Sequence, residues 1–124
     1  MSKSSSSSSE DAQVSRYAEA AIEHMRASEA GDYRAANRAH DVVVTIYSRL
    51  RRQGYNAQAT LLPLLQHRSP AVRGWAGAHA LEFAPERGEP ILEQLAREPG
   101  AVGLSAEMTL QQWRKGALRF PEQA

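Results

Sequence analysis

The stretch that decides the fold is residues 61–83, LLPLLQHRSPAVRGWAGAHALEF, read beside residues 91–110, ILEQLAREPGAVGLSAEMTL. A shift of 30 residues carries Leu61 onto Ile91, Leu62 onto Leu92, Leu65 onto Leu95, Val72 onto Val102 and Ala76 onto Ala106. Apolar positions recurring at that period describe a pair of antiparallel helices that cannot bury its face alone and stacks on its neighbours, which is the logic of an α-solenoid. Leu61, Leu62 and Leu65 are expected to form the apolar edge of the unit's first helix, with Val72, Trp75, Ala76, Ala80 and Phe83 on the inner side of its second. Gly74, Gly77 and Ala78 are small enough to let a neighbouring element approach, at a propensity cost of about 1 kcal/mol per glycine.

Upstream, Val14, Tyr17, Ala18, Ala21, Ile22 and Met25 recur at spacings of three and four, predicting a first helix over 10–30. Gly31 stops it and Asp32 caps a second, whose apolar face carries Ala36, Ala39, His40, Val43, Ile46, Tyr47 and Leu50 before Gly54. The β-branched run Val42 to Ile46 stays helical in this reading, because the period continues on both sides and Arg49, Arg51 and Arg52 suit a helix C-terminus. A third helix is predicted from Asn56 or Ala57 to Gln66. Pro63 inside it, at about 3 kcal/mol, predicts a kink near residues 59–62. Ser69 is a suitable N-cap and Pro70 a suitable first position for a fourth helix ending near Phe83. Ala84, Pro85 and Arg87-Gly88 then break the chain, Pro90 opens or kinks a fifth helix to Arg97, and a sixth runs from Val102 to Lys115. The expected fold is therefore all-α: about six helices in three antiparallel pairs, with no strand.

The pattern LLPLL, a short turn, a proline, then VR, a small residue and AL resembles a HEAT repeat. Leu61, Leu62, Pro63, Leu65, Pro70, Val72, Arg73, Ala76, Ala80 and Leu81 carry the match. In the next unit Gly103 stands where that pattern has arginine, and the first two helices lack the motif. From about Val14 to Phe120, with the long helical pair and Asn37 ahead of the repeat, the chain is similar to a family of short bacterial proteins of unknown function in the armadillo-like superfamily. The resemblance implies a right-handed superhelix of three helical pairs and implies no reaction.

Composition narrows the functional classes. A chain of 124 residues, 42% hydrophobic and 23% charged, suits one soluble domain, placed at 10–120 with a C-terminal tail at 121–124. Fifteen Lys and Arg against 14 Asp and Glu leave a formal charge of +1, which removes the electrostatic motive for nucleic acid or an anionic membrane as partner. With no cysteine there is no disulfide scaffold, thiolate metal site or cysteine nucleophile. The opening MSKSSSSSSEDA has no apolar stretch after its lysine, so neither a secretory signal nor a membrane span is read there, and a cytoplasmic location is expected. The serine run has nothing apolar to bury, predicting a flexible tail over 1–9.

No catalytic or metal signature emerges. His24, His40, His67 and His79 form no HExxH, no serine sits in a GxSxG elbow, and no glycine-rich loop follows a strand. Neither metal nor cofactor is expected. His40, on the apolar face of the second helix beside Asn37, is either a core histidine satisfied by Asn37 or a backbone carbonyl, the reading adopted, or a pocket residue. His79 is read as core, His24 and His67 as exposed. The candidate pocket comprises Asn37, His40 and Trp75. The candidate partner-binding residues are Arg34, Arg38, Arg49 and Arg52 on the basic side of the second helix, with Arg51 near them, and Arg73, at the position of the HEAT arginine. Asp32 and Asp41 offset that basic side only in part.

The leading function is a non-enzymatic module that binds a protein partner. The alternatives are an immunity-type inhibitor of a bacterial toxin, by analogy alone, or a small-ligand-binding or enzymatic protein using the pocket residues. A monomer is expected ahead of a homodimer through a terminal helical pair, for which Trp113 and Phe120 are the large apolar groups with little sequence left to cover them.

Overall fold

One joint shows how local chemistry shapes this chain. The first helix, α1 (Ser2–Glu29), ends where Gly31 adopts φ 74°. The Gly31 N–H donates to the Ser28 carbonyl at 3.2 Å and the Asp32 N–H to the Ala27 carbonyl at 2.8 Å. That is a Schellman stop, open to glycine because a left-handed residue carries no β-carbon penalty there. Asp32 then turns donor into acceptor: its Oδ1 receives the Ala35 N–H at 3.1 Å and caps α2 (Tyr33–Gln53). The expected end of the first helix and start of the second are both found.

The structure is a computed structural model that describes residues 2–120, with side chains from residue 9 onward. Among the described residues are six α-helices, one 3-10 helix and no strand. The remaining elements are α3 (Tyr55–Gln58), the 3-10 helix Ala59–Gln66, α4 (Pro70–Phe83), α5 (Pro85–Ala96) and α6 (Gly100–Arg114). The chain divides into two compact units, Met1–Thr60 and Leu61–Ala124, a division that falls inside the span composition assigned to one domain. Helical segments are found where a tail was expected: α1 begins at Ser2, since extending an existing helix adds a hydrogen bond per residue and serine is only mildly unfavourable in it. Met1 and the expected tail at 121–124 lie outside the described residues.

In the first unit α1 packs on α2 and α2 on α3. Tyr17, Ala21, Val43, Tyr47 and Leu50 are fully buried, and Ala27 clusters with Ala35 and Ala36 beside the joint. Ile22, expected on the apolar face, is exposed. Of the buried polar groups, Gln58 Nε2 donates to the Tyr47 hydroxyl at 3.0 Å, whereas Gln13 Oε1 of α1 is buried with no hydrogen-bond partner among the described residues. Burial, and then the neighbouring Tyr47, raise the Tyr17 phenol well above its ordinary range.

The third predicted helix is mostly 3-10. Pro63 has no N–H for the Ala59 carbonyl and its ring crowds that carbonyl, so the chain tightens from Ala59 onward. Leu61, Leu64 and Leu65 are buried in this segment, whereas Leu62, expected at the apolar edge with Leu61 and Leu65, is half-buried.

In the second unit α4 packs on α5, α5 on α6 and α4 on α6. Ser69 and Pro70 open α4 as expected, although the Ser69 hydroxyl makes no cap bond and its N–H instead donates to His67 Nδ1 at 3.0 Å. The fifth helix corrects the sequence reading: it starts at Pro85, not Pro90, and runs through Gly88. Proline at a first helical turn loses no hydrogen bond, and Gly88 is a contact residue, not a breaker, lying against Gly77 and Ala80 of α4. Gly103 also has a reason. A β-carbon there would collide with the Glu98 carbonyl oxygen, so the side chain expected from the HEAT pattern has no room.

Candidate functional site

The candidate site is the solvent side of α2. Advancing about 100° per residue, Arg34, Arg38, Arg49 and Arg52 fall within about 60° of one another and spread over about 27 Å of helix axis. All four are exposed, turned away from the buried Ala39, Val43, Ile46 and Leu50. Asp41 is the acid inside this stripe, while Arg51 is half-buried to one side. Among the described residues Arg34, Arg38 and Arg49 make no ion pair. Glu23 of α1 is held by Arg26 through two contacts of 2.8 and 2.7 Å, which keep its carboxyl below the usual range, with a smaller contribution from the charge of Arg38. A row of guanidinium groups in water suits carboxylates, which each fork can take two-handed.

The other sequence candidates separate. Arg73 is largely committed to its own turn: its Nη1 donates to the His67 carbonyl at 2.7 Å and the Arg68 carbonyl at 3.1 Å, and its Nη2 lies 3.9 Å from Glu98. It ties the connection between the 3-10 helix and α4. Asn37 and His40 are exposed, which corrects the reading of His40 as a core residue. The helical wheel explains the outcome: His40 lies at the edge of the buried stripe and Asn37 about 60° further round. His40 Nδ1 is 3.5 Å from Asp41 Oδ1, and its ring is 6.2 Å from that of His24. Burial, followed by the charge of His40, lowers the His24 pKa below its ordinary 6.5. His24 and His67 are half-buried where exposure was expected. Trp75 belongs to the other unit, half-buried with its ring 5.8 Å from the buried His79, whose place in the core was expected. Among the described residues no group of three His, Cys, Asp or Glu could hold a metal ion, and no helix is long and apolar enough to cross a membrane.

One feature escaped the sequence reading. Leu104 and Met108 on α6 are 61% and 56% exposed, whereas Phe120 is buried and Trp113 half-buried. The available signal was that α6 has apolar residues on two sides, Ala106 and Leu110 on one, Leu104 and Met108 on the other.

With this geometry in place, the chain can be set against known proteins. No protein-family model and no curated protein matches it. It is similar in structure to the crystal structure of the protein RPA1889 from Rhodopseudomonas palustris CGA009, with a TM-score of 0.83 and 22% sequence identity, over 89% of this chain and 92% of that one. The likeness is one of fold: an all-α chain with a bacterial structural neighbour.

Proposed function

We propose that this chain is a non-enzymatic, cytoplasmic protein-interaction module that binds an acidic protein through the arginine side of α2. The observation that carries the reading is the exposed row Arg34, Arg38 and Arg49, without ion pairs among the described residues, in a chain of formal charge +1. A basic row balanced by acids elsewhere favours an oppositely polarised protein over nucleic acid, whose continuous phosphate charge would also meet the acidic surfaces. The 30-residue repeat and the HEAT-like residues of 61–83 support reading the helices as antiparallel pairs of a short right-handed solenoid, a design that offers surface without catalytic geometry.

The test is affinity capture from the native host, followed by association kinetics with the captured protein. Arg34→Glu/Arg49→Glu should slow association by on the order of tenfold at low salt, with the difference fading as salt rises and helical content unchanged. An association rate that ignores the double reversal at low salt would remove the arginine face from consideration.

A further inference from the structure

We propose that His24 of α1 and His40 of α2 form a two-histidine site for a divalent transition-metal ion of the zinc, nickel or copper kind, which bridges the two helices. Each histidine stands about two helical turns from the Gly31-Asp32 joint, so the joint sets them level with one another. Their ring centres are 6.2 Å apart and the rings are tilted by 46°. A metal–nitrogen bond of about 2.0–2.1 Å puts an ion roughly 3 Å from a ring centre, so two rings that share one ion have centres roughly 5–6 Å apart. The pair therefore stands within a small side-chain turn of bridging distance. His40, with 50% of its side chain exposed, has the freedom to make that turn. The backbone beneath is fixed: α1 packs on α2, and Ala27, Ala35 and Ala36, between the histidines and the joint in sequence, are buried together.

Asp41 supplies a second, independent feature. Its Oδ1 lies 3.5 Å from His40 Nδ1. A carboxylate on that side favours the tautomer that carries its proton on Nδ1 and leaves the Nε2 lone pair for an ion, the arrangement by which metal-binding histidines are oriented. The carboxylate of Glu23 is committed elsewhere, to Arg26 at 2.8 and 2.7 Å. Arg38, whose charge reaches Glu23, is the group that opposes a cation here. No third His, Cys, Asp or Glu completes a cluster among the described residues, so the ion has two protein ligands and takes water at its remaining positions. The ligand set defines the class of ion. Imidazole suits zinc, nickel and copper, whereas calcium and magnesium require oxygen ligands in a number that Asp41 alone does not provide. Two ligands bind more weakly than the three or four of catalytic and structural zinc sites, so occupancy follows the metal concentration. A bound ion fastens α1 to α2, and it stabilises the folded chain because the unfolded one does not hold the two histidines level.

Zinc chloride added to the full chain is the probe. In NMR spectra of the unmodified protein the imidazole resonances of His24 and His40 should shift together and saturate, at concentrations that leave those of His67 and His79 unmoved, and magnesium chloride should shift none of them. The melting temperature should rise with zinc by several degrees. His40→Ala, at an exposed position, should leave helical circular dichroism unchanged, lower zinc affinity at least tenfold and abolish that rise. Asp41→Asn should weaken zinc binding several-fold, the smaller loss expected of a group that orients a ligand. Sedimentation equilibrium in saturating zinc should still give the 13.6 kDa of a single chain, since the ion joins two helices of one molecule. Imidazole resonances that ignore millimolar zinc, a shift confined to one of the two histidines, a rise in melting temperature that survives His40→Ala, or a doubled mass would each overturn the proposal.

Discussion

Gly88 of α5 lies against the backbone of Gly77 in α4, so close that a β-carbon on Gly88 would sit 2.6 Å from the Gly77 carbonyl oxygen. Backbone cannot yield as a side chain can. Gly88→Ala should therefore lower stability by about 1–3 kcal/mol through overpacking. Gly74→Ala should act in the opposite direction: its β-carbon would meet only Leu95 Cδ1 at 3.8 Å, an ordinary contact, and alanine is the better helix former by about 0.5–1 kcal/mol. Thermal denaturation of the two variants should move the melting temperature in opposite directions, and a shared direction would contradict the close seam.

Asp32 closes one helix with its N–H and opens the next with its carboxylate. Asp32→Ala keeps the first bond and removes the second, so a loss of about 1 kcal/mol is expected, whereas Asp32→Asn should retain most of the cap. Urea titrations of the three proteins check this ordering through their midpoints.

The turn before α4 depends on Arg73, whose guanidinium holds the carbonyls of His67 and Arg68. Charged hydrogen bonds of this kind contribute about 1.5–3 kcal/mol, and partial exposure places Arg73→Ala toward the lower end. The melting temperature should fall by several degrees while association with a partner of the arginine face is unchanged. A slower association at unchanged stability would make Arg73 a binding residue instead.

His24 supplies a pH test. Its folded pKa lies below 6.5 because burial disfavours the imidazolium and His40 adds repulsion. In the window just below 6.5 the unfolded chain binds more protons than the folded one, so stability rises with pH there. The contribution is fully present above 6.5 and is lost as pH falls through the folded value. Melting curves between mildly acidic and neutral pH should show this slope, and His24→Gln should flatten it.

The buried pair Tyr47 and Gln58 offers a coupling test. Gln58→Leu removes the donor, and Tyr47→Phe strands the amide at a cost of about 1–3 kcal/mol. The double variant should recover part of that loss. Strict additivity in a double-mutant cycle would mean that the two side chains do not interact.

What the sequence determined by itself was whatever depends on near neighbours along the chain. The all-α class, the Gly31-Asp32 joint, the stop at Gly54, the start of α4 at Pro70 and the stop before Gly116 follow from caps, proline geometry and a 3.6-residue period, all of which act within a few residues. The exposure of the arginine row was legible for the same reason, because the period that buries Val43 and Leu50 turns Arg34 and Arg49 outward. What only the tertiary structure decided was which borderline positions meet something. Gly88 reads as a breaker until α4 is seen against it, and Gly103 as a lost arginine until the Glu98 carbonyl is placed beside it. His40 reads as core although it lies just past the edge of the buried stripe. Leu104 and Met108 stand exposed because the buried side of α6 is the one that carries Ala106 and Leu110. Periodicity states which residues share a side of a helix, whereas burial depends on the distance to elements remote in sequence, and that distance is set by packing.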